Sequence, residues 1–234
     1  MIRTLRCLIP VAYCIVAYAL VASSQEGGKY TIKTTTTAAP KEVSEGIRKL
    51  LSDTSVQLLD GNGKAICDVW FRKDIPVDAT PEQIKNGITW REVKQTEIVA
   101  AVQFHEAWTD YRKQKIKAGV YTMRLAYQPT DGKHTADISE FQDFGLLVFA
   151  KDDTKPGLMD AKGLIDRSGD SLELAHPAVF MLWGNTKPGK TPEIASRPKG
   201  HWVVNSKSNI VVNGKATNAQ IGIGLTLVGH SPAE

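Results

Sequence analysis

Residues 55–73 read SVQLLDGNGKAICDVWFRK, and this stretch sets the expected fold class of the chain. Two β-rich runs flank a Gly-Asn-Gly sequence at residues 61–63, and such a turn between such runs is typical of a β-hairpin. In the second run, side chains alternate with a period of two, which places Cys67 and Asp68 on opposite faces of a strand. The stretch therefore predicts two antiparallel strands that bury one face.

Similar strand patterns recur along the chain. Alternation is clear in VYTMRLAYQ (residues 120–128), where Thr122 and Arg124 fall on the polar face. FGLLVFA (residues 144–150) is a continuous apolar run that suits a central strand. About nine strands with closely spaced turns are typical of a sandwich, jelly roll or small barrel. We predict a mainly β fold, with one β-sandwich or jelly-roll-like domain at residues 55–234.

Four other segments complete the predicted organisation. Residues 25–40 are Thr-rich with few apolar side chains, which predicts a disordered linker. Residues 41–54 carry apolar side chains at helical spacing and predict an N-terminal amphipathic helix, and residues 154–170 predict one short inserted helix. Residues 184–200 hold three prolines and no strand pattern, which predicts a long loop that is either functional or disordered.

The first 24 residues have the pattern of a cleavable signal peptide. Arg3 and Arg6 precede an apolar run at residues 7–22, and small residues follow at the expected cleavage site. We predict a cut near residues 22–25, a secreted or periplasmic protein, and no membrane span after signal removal. An uncleaved N-terminal anchor is the alternative, because the run approaches the lower end of the ~17–25 residues of a membrane span.

Charge and cysteine content argue against two classes of protein. The net charge of +4 falls by two if Arg3 and Arg6 leave with the signal. The sequence has no basic run and no basic helix face, so nucleic-acid binding has no electrostatic basis. Of the three cysteines only Cys67 lies outside the first 24 residues, so no internal disulfide is expected. Its place on an apolar strand face predicts a buried, unreactive thiol.

One polar segment is a candidate metal site. His134, Asp137, Glu140 and Asp143 lie within ten residues, and such side chains are ligands for zinc and other divalent ions. Their spacing matches no established metal motif, and a decorated hairpin loop is the explanation that the sequence favours. His176 is a further candidate ligand. In a metal-dependent hydrolase or lyase, His134, Asp143 and His176 would hold the ion, with Asp137 or Glu140 as the base.

A cluster of aromatic and acidic residues at 105–111 suggests a different function. Trp108 and Tyr111 can stack on a sugar ring, or they can cap the end of a sandwich core, and Trp202 is a further candidate surface aromatic. The sequence holds no catalytic serine elbow, phosphate loop or dinucleotide motif. It therefore favours a binding or structural module without a required cofactor. The expected partner is a carbohydrate, an envelope component or another protein.

The stretch KIKAGVYTMRLAYQPTDGKH, residues 115–134, carries the motif AGxYT…QPxDGxH. With this motif the chain resembles a family of uncharacterised secreted bacterial β-sandwich proteins. The resemblance extends over residues 55–234, is sharpest over residues 108–149, and implies a secreted β-sandwich but no activity. The chain departs from the pattern after His134, where Thr-Ala replaces Met-Gly. The matching residues are Trp108, Ile116, Ala118, Gly119, Tyr121, Thr122, Met123, Arg124, Gln128, Pro129, Asp131, Gly132, His134, Asp143 and Phe144.

Overall fold

The computed structural model describes residues 29–128, 143–174, 176–185, 188–189 and 192–231. These residues form a mainly β structure, as the sequence predicts. The strands, in chain order, are β1 (Tyr30–Thr35), β2 (Ser55–Asp60), β3 (Ala65–Phe71), β4 (Asp74–Val77), β5 (Ile98–Phe104), β6 (Trp108–Thr109), β7 (Lys115–Ile116), β8 (Gly119–Tyr127), β9 (Asp143–Phe149), β10 (Val179–Asn185), β11 (Glu193–Arg197), β12 (His201–Val212) and β13 (Lys215–Val228). The helices of the described part are α1 (Glu45–Arg48), α2 (Pro81–Asn86) and α3 (Ala161–Leu172), with 3-10 turns at Trp90–Glu92 and Pro198–Gly200.

A single curled sheet organises the described residues. Its strand order is β1-β2-β3-β5-β8-β9-β10-β13-β12-β11, and neighbouring strands along this path are antiparallel. β4 follows β3 directly in the chain and pairs in parallel with β12, so the sheet curls until β3 and β12 come close to each other, and this curled sheet is called here the ring. β6 and β7 form a separate small ribbon. The pairing register brings Tyr30, Phe104, Gly119 and Phe149 to one end of the ring, called here the groove end.

The predicted β2–β3 hairpin is confirmed. Asp60 Oδ1 accepts hydrogen bonds from the backbone N–H groups of Asn62 and Lys64, both at 2.9 Å. Gly63 has a φ of +79°, a left-handed conformation that glycine adopts without a Cβ clash. The turn fixes the register that buries Cys67 completely. Burial raises the pKa of the Cys67 thiol, in agreement with the predicted unreactive cysteine.

The main core fills the inside of the ring, and two smaller apolar clusters lie on its outer face. Met123 of β8 and Ile223 of β13 are fully buried members of the main core. One outer cluster packs Ile47 of α1 against Trp70 of β3, and the other packs Leu164 of α3 onto β9. Each buried side chain of this size contributes about 1.5–3 kcal/mol. The helices therefore serve as covers for apolar patches outside the ring.

The predicted disordered linker at residues 25–40 is wrong for Tyr30–Thr35, which form β1. This strand pairs along its whole length with β2, from Tyr30 opposite Asp60 to Thr35 opposite Ser55. Tyr30 and Ile32 are half-buried, whereas Thr31 and Lys33 are exposed. Threonine is β-branched and favours strands, so a threonine-rich run can pair at a sheet edge without supplying much of a core.

Two predicted helices are present in shortened form. The helix expected at residues 41–54 is a single turn, α1, although Val43, Ile47 and Leu51 are buried on the predicted apolar face. The inserted helix, α3, begins only after Asp160, whose side chain accepts a hydrogen bond from Gly163 N at 2.8 Å. No helix in the described part is both long enough and apolar enough to span a membrane.

The loop expected at residues 184–200 contains a strand. β11, Glu193–Arg197, pairs antiparallel with β12 and ends at a tight turn before His201. Ile194 faces Val204 across the pair, and that apolar contact helps to hold the strand. The three prolines obscured a five-residue strand because proline removes a backbone donor and interrupts the local pattern.

Candidate functional site

Of the five residues of the predicted metal site, His134, Asp137 and Glu140 lie outside the described residues. Asp143 is the first residue of β9 and faces Tyr127 of β8. Its Oδ1 atom is buried and has no hydrogen-bond partner among the described residues, and burial raises the pKa of its carboxyl. Asp143 lies at the end of the ring opposite the groove end.

His176 is exposed and precedes β10 on the groove side. Leu147 N donates a hydrogen bond to Ala178 O at 3.1 Å, which places His176 beyond Leu147 in the direction of the groove end. Asp143 lies in the other direction, about 13 Å from Leu147 along the strand. The structure therefore does not bring Asp143 and His176 together. The described ranges contain no group of three His, Cys, Asp or Glu that could hold a metal ion. A metal site that includes His134 stays a prediction.

The aromatic and acidic cluster at residues 105–111 divides into two parts. Asp110 is fully buried, and its carboxylate accepts hydrogen bonds from three backbone N–H groups that shape the β6–β7 ribbon and its junction with β10. Tyr111 is 1% exposed, with its ring 5.4 Å from that of His201. Asp110 and Tyr111 both attach the β6–β7 ribbon to the curled sheet. Tyr111 is therefore not a surface aromatic that could stack on a sugar, which was one of the two alternatives that the sequence offered.

Trp108 does reach the surface. It is half-buried, and its indole Nε1 donates a hydrogen bond to Leu227 O of β13 at 2.8 Å. Tyr30 of β1 is also half-buried, and its ring meets Trp202 edge-on with 5.5 Å between centroids. Edge-to-face packing and an indole hydrogen bond both restrict ring orientation. The aromatic rings of Trp108 and Tyr30 are therefore held in fixed positions at the groove end.

Two adjoining pockets open beside these rings, and together they are called here the aromatic groove. Lys29, Tyr30 and Trp108 line both pockets. The first pocket has a volume of about 370 Å³ and the second about 480 Å³. The first is also lined by Asp60, Gly61, Asn62, Ile66 and Glu106, and the second by Thr109, Lys199, Gly200, Gly229, His230 and Ser231.

Charged side chains are distributed unequally over the aromatic groove. In the first pocket Glu106 forms an ion pair with Lys64, and Asp60 is engaged in the hairpin turn. The Lys29 ammonium lies 5.6 Å from the centroid of the Tyr30 ring, within cation–π distance. Lys199 enters the second pocket from the β11–β12 turn. The first pocket thus combines both signs of charge, and the second is more basic.

Sequence reasoning identified Trp108 but missed the other half of the groove. Tyr30 and Lys29 fell within the expected linker, and Lys199 fell within the expected loop. The alternation of YTIKT at residues 30–34 was a strand signal that could have placed Tyr30 on a sheet. No local pattern shows that β1, the ribbon and the β11–β12 turn meet at one end of the ring.

The groove combines fixed aromatic faces with amide, hydroxyl, ammonium and carboxylate groups on its walls. Most small-molecule sites have this composition, with apolar surface for affinity and a few polar groups for orientation, in volumes of about 300–1,000 Å³. Its lining comes from strand ends and turns carried by a curled sheet, where binding residues are commonly found. No protein-family model matches this chain, and comparisons with curated proteins and with solved structures found no match.

Proposed function

We propose that this chain is a carbohydrate-binding protein and that the aromatic groove holds its ligand. One observation carries the proposal: Trp108 and Tyr30 lie half-exposed in fixed orientations and line two adjoining pockets. Aromatic faces pack against the C–H faces of sugar rings because both surfaces are flat and apolar. A fixed ring also binds with a smaller loss of conformational entropy than a flexible one.

The walls of the first pocket suit sugar hydroxyls. Asn62 supplies both a donor and an acceptor, and Glu106 supplies acceptor oxygens beside the aromatic rings. A hydroxyl needs partners of both kinds because it donates one hydrogen bond and accepts others. With about 370 Å³ and 480 Å³ respectively, the two pockets have room for a saccharide of more than one ring.

The proposed setting is the periplasm or the exterior of the cell. Arg3, Arg6 and the apolar run at residues 7–22 support a cleaved signal peptide, and the resemblance over residues 108–149 to secreted β-sandwich proteins supports the same setting. A glycan of the cell envelope or of the surroundings is then the expected ligand. N-terminal sequencing of the exported protein tests this part, with a new terminus expected near residues 22–25.

A glycan array probed with the exported protein tests the binding function. We expect a defined set of saccharides to bind, and Trp108→Ala to weaken that binding by about tenfold or more, because one ring contact contributes about 0.5–1.5 kcal/mol beyond its buried area. Trp183→Ala is the matched control. Trp183 is also half-buried, but it pairs with Gly224 in the other half of β10 and its indole bonds to Thr226.

The control variant should keep the wild-type glycan profile. Circular dichroism and thermal unfolding must show both variants folded before their binding is compared. The proposal is wrong if no saccharide binds the wild-type protein, or if folded Trp108→Ala binds the same saccharides with unchanged affinity.

A further inference from the structure

We infer that the first pocket of the aromatic groove recognises the acetamido group of an uncharged saccharide, with the acetyl methyl against Ile66 and the amide against Asn62. This inference rests on the proposed function and narrows its ligand class to N-acetylated sugars. Three features of the pocket carry it: a balanced set of charges, an isoleucine that a β-bulge redirects, and a side-chain amide on the hairpin turn.

The charges around the first pocket balance one another. Lys64 Nζ lies 2.5 Å from Glu106 Oε2, and the hydrogen bond and charge of Glu106, followed by the charge of Asp60, raise the pKa of the Lys64 ammonium. Lys29 lines the same pocket, so two ammonium groups oppose two carboxylates. A ligand with a net charge of either sign would meet like charges as well as opposite ones. The pocket therefore favours an uncharged ligand.

A β-bulge in β3 redirects the side chain of Ile66. Leu58 of β2 faces Cys67 and Leu59 faces Ala65, so Ile66 is the extra residue between two pairs. Ile66 and Cys67 are neighbours in the chain, yet both belong to the main core inside the ring. Strict alternation would place them on opposite faces, and a bulge is a known means of re-aiming one side chain at the rim of a curled sheet.

The redirected Ile66 adds an aliphatic wall beside the two aromatic rings. Its side chain is buried, and the surface that remains lines the first pocket together with Tyr30 and Trp108. His105 N donates a hydrogen bond to Ile66 O at 3.0 Å, which ties the bulge to the end of β5. A sugar hydroxyl against this wall would lose its hydrogen bonds to water without replacement, whereas a methyl group would gain from burial.

Asn62 supplies an amide at the edge of the same pocket. Its backbone N–H donates to Asp60 Oδ1 at 2.9 Å, whereas its exposed side chain lines the pocket. The turn is held by backbone hydrogen bonds to Asp60 and by the positive φ of Gly63, so it does not require the Asn62 side chain. That side chain can donate to the carbonyl of an acetamido group or accept from its N–H.

An acetamido group matches all three features at once. Its methyl suits Ile66, its amide suits Asn62, and acetylation removes the positive charge that an amino sugar would bring into a balanced pocket. The volume of about 370 Å³ has room for one such sugar beside Trp108, and the second pocket can receive the next ring of an oligosaccharide.

Three oligosaccharide series with the same linkage and ring stereochemistry test this inference. Chitooligosaccharides carry the acetamido group, cello-oligosaccharides carry a hydroxyl in its place, and deacetylated chitooligosaccharides carry an ammonium group there. Affinities of the full exported protein are measured by isothermal titration calorimetry in one buffer. We expect the acetylated series to bind about tenfold or more tightly than either of the other two.

Two variants locate the acetamido group in the first pocket. Ile66→Val removes one methylene and should reduce the preference for the acetylated series by about two- to fourfold. Asn62→Ala removes one hydrogen bond and should reduce it by about five- to tenfold. Ile210→Val and Asn209→Ala are the matched controls and should keep the preference, because both residues pair with β4, away from the groove end.

The failures of the two proposals are distinguishable once circular dichroism shows each variant folded. Equal binding of the acetylated and hydroxyl series, with Trp108→Ala still weakening both, overturns the acetamido ligand and keeps carbohydrate binding. Deacetylated oligosaccharides bound as tightly as the acetylated ones also overturn it, because the carboxylates would then select the ligand. An unchanged preference in both Ile66→Val and Asn62→Ala has the same consequence. If the Trp108→Ala protein binds every saccharide like the wild type, the groove is not the site and both proposals fail.

Discussion

Charged side chains have opposite roles in two regions of this protein. On the outer face of β8, Arg124 is fully buried and donates to both carboxylate oxygens of Asp153, at 2.7 and 2.9 Å. Its remaining donors reach the backbone carbonyls of Thr96, Lys155 and Gly157. All five guanidinium N–H groups are used within the protein. This cluster fastens the loop after β9 to the sheet.

The aromatic groove is the contrasting region. Lys29 is exposed at its rim, and Glu106 shares an exposed ion pair with Lys64. A fully satisfied buried cluster contributes to the integrity of the fold and has nothing left to offer a ligand. Exposed charges beside fixed aromatic rings contribute little to stability and can be satisfied by a ligand. Burial and hydrogen bonding, more than residue type, separate the two roles.

The largest effect should come from breaking the buried cluster. Arg124→Met leaves the Asp153 carboxylate buried without its cation, which costs about 3–5 kcal/mol of unfolding free energy. Urea denaturation followed by fluorescence measures this loss. The double variant Arg124→Met with Asp153→Leu should recover most of the stability, because neither member then remains as an unpaired charge.

Glycan binding by the folded fraction of Arg124→Met should match the wild type, since the cluster lies outside the groove. A loss below about 1 kcal/mol would contradict the comparison, because it would mean that water or another group satisfies Asp153 as well as Arg124 does.

The buried cluster also shows what the sequence can and cannot predict. Alternation correctly placed Thr122 and Arg124 together on the polar face of β8. The pattern did not show that residues 153–157 cover Arg124 and bury it completely. Alternation with a period of two shows which face of the strand a residue occupies. It does not show which other segments of the chain pack on that face. The partner Asp153 is 29 residues away, beyond the reach of any local pattern.

The groove was predictable only in part for a related reason. Trp108 was identified because an aromatic residue among acidic ones suggests sugar stacking, and it does line the groove. Tyr30 was missed because the Thr-rich composition of residues 25–40 outweighed the short alternation at residues 30–34. The pairing of β1 with β2 supplies the order that its composition lacks. The contact of Tyr30 with Trp202 depends on the curling of the whole sheet, which no local sequence pattern encodes.

The next largest effect should come from Trp108→Phe, which tests whether the aromatic face or the indole hydrogen bond of Trp108 matters more for binding. Trp108→Phe keeps an aromatic face but removes the indole N–H that donates to Leu227 O. Loss of one such hydrogen bond should lower the unfolding free energy by about 1 kcal/mol. Binding should fall by less than in Trp108→Ala, and calorimetry with a bound saccharide compares the two. Equal binding losses would show that the hydrogen bond, rather than the ring face, carries the affinity.

A smaller, pH-dependent effect is expected at Asp143, at the far end of the ring. Burial raises the pKa of its carboxyl above that of the unfolded chain, with Arg91 opposing the rise. The folded protein is therefore penalised for the ionised form at neutral pH, and this penalty disappears as pH falls through the folded and then the unfolded pKa. Asp143→Asn should stabilise the protein at pH 7 only slightly, by well under about 1 kcal/mol, because Asp143 is half-buried and solvent screens part of the penalty.

That gain should vanish near pH 3, where the carboxyl is protonated in both states. Thermal unfolding of both proteins between pH 3 and pH 8 measures the difference. A gain that persists unchanged at pH 3 would attribute the effect to shape rather than charge. Destabilisation at pH 7 would show instead that the ionised carboxylate has a favourable partner, as a metal site would require.

The smallest effect should come from the exposed ion pair at the groove. Lys64→Ala removes the partner of Glu106 at a site where both side chains are largely in water, with 62% and 43% of their side-chain surface exposed. Water and salt replace such a partner readily, so the unfolding midpoint should stay within experimental error of the wild type.

The carboxylate that remains in the first pocket should still accept a hydroxyl, so binding of a neutral saccharide should persist. A large stability loss would place Lys64–Glu106 in the same class as Arg124–Asp153, and burial would then no longer distinguish the two regions.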